Sequence, residues 1–258
     1  MSPSEDKKPT IEIGYWKIRG LAAPMRMMAC YAGVDFKDAT CECIADGEGG
    51  FDTSSWFGPN GTDGPKAALL QQNPLINLPY VVDHARGIVI AQSNACLQYL
   101  ARQLGLYGGA SDGANTDKAA AECDQILCQV MDLRNAAVGW YYGSGSRAGY
   151  ESSADGHLAC VKVHYTKLEA WLAHKQRLGE GGTFFVMQTT PAVPDFHVWE
   201  QIDQHEAACK DLGRASLLAD FPLLAAFHCA FRKLPELAAY FDSPASTFPI
   251  NNPQAAFY

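Results

Sequence analysis

The residues that could do chemistry fall in the first hundred positions and on one later helix. Tyr15 closes a short alternating run, Ile11-Glu12-Ile13-Gly14-Tyr15, that predicts a strand. A tyrosine there is ordinarily a half-buried sheet aromatic. Leu78-Pro79 enters another predicted strand, a place where proline simply avoids donating a ladder hydrogen bond. Ser93 precedes the amphipathic run Ala95, Cys96, Tyr99, Leu100 and reads as a helix N-cap. The same helix end offers free N–H groups and a positive dipole, which suit a carboxylate. Nine cysteines stand at 30, 41, 43, 96, 123, 128, 160, 209 and 229, with no CxxC pair. Cys41-Glu42-Cys43 is too tight for an ordinary zinc knuckle, so no metal site is read. Thiols inside apolar helical patterns behave as small buried hydrophobes, and an odd number of them fits a reducing compartment such as the cytoplasm.

The elements that must hold these residues come in two kinds. Strand Ile11–Tyr15 is followed by an apolar stretch from Pro24 through Met25, Met28 and Tyr31. That stretch predicts a helix, with proline in its first turn and Gly33 past its last. Residues 36–41 predict a second strand, and 44–76, rich in Gly, Asp, Ser and Pro, a long irregular loop. Tyr80–Asp83 and Ile88–Ile90 form a hairpin ahead of the Ser93 helix. The order so far is βαβ, then ββα. Beyond it strand signals vanish, and helical periodicity covers about 117–142, 155–178, 194–211, 216–232 and 235–241. The domains expected are a polar leader at 1–9, an α/β domain at 10–105, a linker at 106–116 and an all-α domain at 117–258.

Composition narrows the class. Hydrophobic residues make up 48% and charged residues 19%, ordinary for a globular chain able to bury a core without staples. The net charge of −8 repels phosphate backbones and sets nucleic-acid binding aside. The first ten residues, MSPSEDKKPT, lack an apolar signal core, and no apolar run of about 18 residues suggests a membrane span.

Four motifs in order carry a family resemblance: Gly14-Tyr15-Trp16-Lys17-Ile18-Arg19-Gly20-Leu21, Asn77-Leu78-Pro79-Tyr80, Gln92-Ser93-Asn94-Ala95 and Gln129-Val130-Met131-Asp132. Over residues 10–245 the chain resembles the cytosolic glutathione transferases, most of all the Mu class. The resemblance implies an α+β fold, with a thioredoxin-like N-terminal domain, a helical C-terminal domain and a homodimer. Glutathione would be the co-substrate and hydrophobic electrophiles the second substrate. Tyr15 would donate to the glutathione sulfur, favouring the thiolate nucleophile. Trp16 would wall the site. Leu78, ahead of a cis Pro79, would pair strand-like with the cysteinyl backbone, beside Asn77. Gln92 and Ser93 would hold the γ-glutamyl end. Asp124 would cross the dimer interface to the α-ammonium, Asp132 and Arg134 would serve the dimer contact or intrahelical pairing, and Tyr142 would donate to a developing oxyanion.

Three departures qualify the resemblance. Around Trp56 the Mu pattern has an arginine three residues before and a lysine four after; here Thr53 and Asn60 stand there. Lys66, on the longer loop that follows, either replaces the missing cation for the glycyl carboxylate or is a solvated lysine. Ala192 replaces the Ser or Thr that caps the helix near Asp195, and the tail at 243–258 keeps little of the pattern. Two rivals share the scaffold: a prostaglandin-isomerase or peroxidase activity, and a non-catalytic binding or structural relative.

Overall fold

The first predicted strand forms as β1 (Ile11–Trp16), in a computed structural model that describes residues 10–108 and 116–258. Ile11 through Tyr15 are buried on both faces, the pattern of a central strand. β1 runs parallel to β2 (Phe36–Cys41) and antiparallel to β5 (Tyr80–Asp83), which pairs with β6 (Ile88–Ala91). The sheet order is therefore β2-β1-β5-β6. Gly14 is required at its centre: a Cβ there would lie 2.0 Å from a carbon of the Tyr80 ring. Helix α1 (Ala23–Tyr31) starts with Pro24 in its first turn and ends before Gly33 at φ +63°.

The segment expected to be one irregular loop is partly ordered. A two-residue pair, β3 (Ile44–Ala45) and β4 (Phe51–Asp52), precedes the short helices α2 (Ser54–Phe57) and α3 (Pro65–Leu70). Trp56 nucleates this order. It is wholly buried and stacks on Tyr80 at 5.8 Å in a satellite cluster with Cys41, Ile76, Val82 and Ala91.

Helix α4 (Ser93–Leu104) closes the first half. The polar leader at 1–9 and linker residues 109–115 lie outside the described residues. The second half consists of α5 (Thr116–Gly143), α6 (Arg147–Arg177), α7 (Val193–Asp211), α8 (Pro222–Arg232) and the short α9 (Ala238–Phe241), with 3-10 turns between them. Helix α6 begins two turns before the expected residue 155. The Ser146 hydroxyl accepts from Gly149 N at 3.1 Å and starts the helix, where Gly149 and Gly156 had hidden the apolar period.

The halves are locked together by charge as well as by a shared core. Arg19, on the loop after β1, donates to Glu200 at 3.1 and 2.9 Å and to Asp203 at 2.6 Å on α7. Without a side-chain cap at Ala192, α7 is braced from within. Asp195 accepts from Ala192 N at 2.8 Å and from Phe185 N at 2.9 Å. Burial pushes the Asp195 carboxyl up to about 7, against these hydrogen bonds.

Candidate functional site

A cleft of about 370 Å³ opens where the β5 entry, the start of α4 and the middle of α5 converge. Its first wall is Asn77, Leu78 and Pro79, and the Leu78–Pro79 peptide is cis as expected. The second wall is Gln92, Ser93 and Asn94. Gln92 holds φ +73°, the one positive φ of a non-glycine among the described residues. Such a backbone costs on the order of 1–3 kcal/mol and tends to persist at ligand sites. It turns the chain so that α4 begins at Ser93 with no side-chain cap, leaving its first N–H groups facing the cleft region. The third wall is Leu21 together with Met131, Arg134 and Asn135 of α5, spaced to share one helix face.

Tyr15 lies just behind this third wall. Its hydroxyl lies beside Gly20, the residue before the cleft-lining Leu21. Burial raises its pKa, and the nearby Arg134 charge opposes that rise. Gly20 makes the fit possible: a Cβ there, at φ +39°, would lie 2.9 Å from the Tyr15 hydroxyl. Trp16 is half-buried and packs between the main core and the satellite cluster.

Of the adjacent tyrosines on α5, Tyr141 is core and Tyr142 is the one near the site. Tyr141 is fully buried, packed against Trp140, Tyr150 and Phe257. The Tyr142 hydroxyl accepts from Asn252 N at 2.9 Å, so its proton is left to donate elsewhere. Burial pushes Tyr142 up to about 12, and Tyr15 and Arg134 are close enough to act on it electrostatically. Asn252 belongs to the tail, which is tied down at several points. Pro249 O accepts from Arg19 N at 2.8 Å and Ala256 N donates to Tyr141 O at 2.8 Å. Between tail and β3 lies a second, mostly apolar hollow of about 440 Å³, lined by Ile18, Cys43, Ile44, Phe248, Pro249 and Tyr258 among others.

Six expected site residues do not line the cleft: Tyr15, Trp16 and Tyr142, placed above, and Trp56, Lys66 and Asp124. Trp56 faces the satellite core, and its indole N–H has no partner there. The Lys66 ammonium sits over the Phe57 ring at 5.0 Å. Asp124 accepts from Gln98 Nε2 at 2.6 Å and from the Tyr107 hydroxyl, two turns along α5 from the cleft. These bonds hold it to its own subunit because α4 and the chain after it pack against that face of α5. Asp132, by contrast, is exposed and neighbours the cleft-lining Met131. Arg134, expected at the dimer contact or in intrahelical pairing, is the only charged residue lining the cleft among the described residues.

A cis-proline wall and an uncapped helix start around one cleft, on a small mixed sheet followed by a helical half, define a thioredoxin-like class of fold. Two family models agree with that class: glutathione S-transferase, N-terminal domain, over residues 59–102, and C-terminal domain, over residues 131–244. The chain belongs to the glutathione S-transferase family. It is 31% identical over 251 residues to glutathione S-transferase Mu 3 of Macaca fuscata fuscata, covering 94% of this chain and 93% of the relative. The Homo sapiens Mu 3 enzyme is 30% identical with the same coverage. A Pi-class glutathione S-transferase structure from Onchocerca volvulus shares the fold, with a TM-score of 0.69 at 22% identity, over 95% of this chain and 99% of that one.

Proposed function

We propose that this chain is a glutathione transferase that binds glutathione in the cleft and transfers its thiolate to hydrophobic electrophiles, working as a cytoplasmic homodimer without a metal. The observation that carries this reading is the convergence of Leu78-Pro79, Gln92 and Ser93 on one cleft of peptide size, with the Tyr15 hydroxyl beside Gly20 behind its Leu21 wall. In it, the Leu78 backbone pairs with the cysteinyl residue and Asn77 assists. The γ-glutamyl carboxylate lies at the α4 start, held by Ser93 and Gln92, where helix N–H groups and dipole favour an anion. The Tyr15 O–H donates to the sulfur, which lowers the thiol pKa and keeps the nucleophile ionised at neutral pH. Trp16 supports the wall. The electrophile occupies the apolar hollow beneath the tail, and Tyr142 donates to an oxyanion formed when an epoxide or enone is attacked. Residues 10–105 serve as the glutathione domain and 117–258 as the electrophile domain.

The α-ammonium of glutathione needs an acceptor from the partner subunit. Asp124 is already occupied by Gln98 and Tyr107, which favours the exposed Asp132 for that contact. Lys66, spent on Phe57, and Trp56, turned into the core, leave the glycyl carboxylate without the usual loop partners. That deficit favours one second reading, a relative that binds glutathione weakly and does not turn over. Retention on immobilised glutathione followed by an assay with a chromogenic aryl halide separates the two. Retention with turnover supports the transferase, retention without turnover the binding protein, and loss of both removes glutathione from the account.

A further inference from the structure

A third hollow, of about 190 Å³, opens where α7, the end of α8, α9 and the tail meet. None of its lining residues lines the cleft or the apolar hollow beneath the tail. Its lining carries both signs of charge. Arg232, the last residue of α8, makes no ion pair and no hydrogen bond among the described residues. Its guanidinium lies over the Phe241 ring at 3.7 Å, and a stacked guanidinium keeps its N–H edges free for a planar anion. Arg19, by contrast, is one cation held by two carboxylates, Glu200 at 3.1 and 2.9 Å and Asp203 at 2.6 Å. That group has one negative charge in excess, and Asp203 brings it to the hollow. His228 Nε2, 3.3 Å from Asp203 Oδ1, offsets it only when protonated.

The uncharged groups sort in the same way. The Ser246 hydroxyl donates to Phe241 O and Ser243 O at 2.9 Å, and the Thr247 hydroxyl donates to Pro244 O at 2.9 Å. A hydroxyl has one proton, so both present only lone pairs to the hollow. Tyr240 is 2% exposed, and its hydroxyl alone among the side chains lining the hollow is buried with no partner. A buried polar group left unpaired is costly, which favours an occupant that bonds it. Trp199 and Phe241, with ring centroids 5.1 Å apart, supply the apolar walls.

We propose that this hollow binds an α-amino-carboxylate head group, with the carboxylate on Arg232 and the ammonium on Asp203 and the Ser246 and Thr247 oxygens. The Tyr240 hydroxyl completes the set of contacts. A zwitterion matches an unpaired cation and an excess carboxylate in one hollow, whereas phosphate, with no donor to offer Asp203, meets its charge as repulsion. The volume is about half that of the cleft, enough for a small free amino acid or for the γ-glutamyl end of a peptide left partly outside.

The test is calorimetric titration of the full chain at pH 8 with L-alanine, acetate, methylamine, phosphate and S-methylglutathione, with tryptophan fluorescence as a second signal because Trp199 lines the hollow. L-Alanine should saturate one site per chain. Acetate and methylamine each lack one charged partner and should bind at least about 10-fold more weakly. Arg232 is exposed, so Arg232→Gln should leave the melting curve unchanged and weaken L-alanine by about 10-fold or more. Tyr240→Phe should weaken it by about 3- to 10-fold. S-Methylglutathione at two sites in wild type and one in Arg232→Gln assigns the hollow to the peptide's γ-glutamyl head; one site in both assigns it to the free amino acid. No L-alanine binding by wild type, acetate or phosphate binding as tightly as L-alanine, or an Arg232→Gln variant that binds like wild type overturns the proposal. Turnover of glutathione with an aryl halide should be the same in wild type and Arg232→Gln, since the hollow is separate from the cleft. Turnover without L-alanine binding therefore removes this inference alone, and L-alanine binding without turnover leaves it standing while the transferase reading fails.

Discussion

Mild acid should destabilise this protein, and the cause is three histidines rather than the catalytic groups. His157 and His205 face each other across α6 and α7, with their Nε2 atoms 3.3 Å apart. His205 Nδ1 is 2.6 Å from the Gln201 carbonyl, to which it donates. Its Nε2 is then the acceptor and His157 Nε2 the donor, so both rings are neutral. His197 lies one α7 face away with neither ring nitrogen partnered among the described residues. Burial pushes His157 and His197 down to about 3 and His205 to about 4. An unfolded histidine titrates near 6.5, so the unfolded chain takes up protons that the fold refuses. This contribution to stability is complete above about pH 6.5 and is lost as pH falls toward the folded values. From pH 7 to pH 5 the loss is about 2 kcal/mol per histidine, roughly 6 for the three. Asp195 acts in the opposite sense. With a folded pKa near 7, it stabilises in acid and loses that contribution as pH rises from about 4 to about 7, returning about 2 kcal/mol over the same fall. The net loss of roughly 4 kcal/mol is a large part of an ordinary domain's stability. Urea unfolding at fixed protein concentration and pH 5, 6 and 7 measures it. His197→Leu should remove about one third of the histidine slope. A wild type equally stable at pH 5 and 7, or a His197→Leu slope equal to wild type, would refute the reasoning.

Two further perturbations bear on the site and its support. Asp195→Ala leaves the N–H groups of Phe185 and Ala192 buried without their acceptor, and thermal unfolding should show a loss of about 2–4 kcal/mol. Tyr142→Phe should lower turnover of an enone or epoxide by about 10²-fold while sparing an aryl halide, which forms no oxyanion at that position; equal effects on both substrates would take Tyr142 out of the chemistry.

The sheet and the long helices could be read from the chain because each is announced by its own period and punctuation. β1 alternates, α1 is bracketed by Pro24 and Gly33, and α4 follows a turn at Gln92. The first two walls of the cleft were legible for the same reason, since Leu78-Pro79 and Gln92-Ser93 sit at element junctions whose backbone is constrained. What escaped reading depends on contacts between distant segments. Trp56 is drawn off the cleft by Tyr80, Asp124 is taken by Gln98 and Tyr107, and Lys66 by Phe57. Nothing local distinguishes those partners from water. Arg134 was not legible as a cleft residue in the same way: its spacing from Met131 and Asn135 marks a shared helix face, but only the packing of α5 beside Leu21 shows that this face lines the cleft. The early start of α6 was hidden by two glycines that a single serine cap outweighs.

The central claim is that the Tyr15 hydroxyl keeps glutathione ionised in the cleft, and the thiolate absorbance of bound glutathione reads this directly. Titrating wild type and Tyr15→Phe from pH 5 to pH 10, with glutathione saturating in both, should give a wild-type midpoint below the ordinary thiol value of about 8.5. The variant should bind glutathione with little loss and return the midpoint to about that value. Bound glutathione with the same midpoint in both proteins would contradict the account.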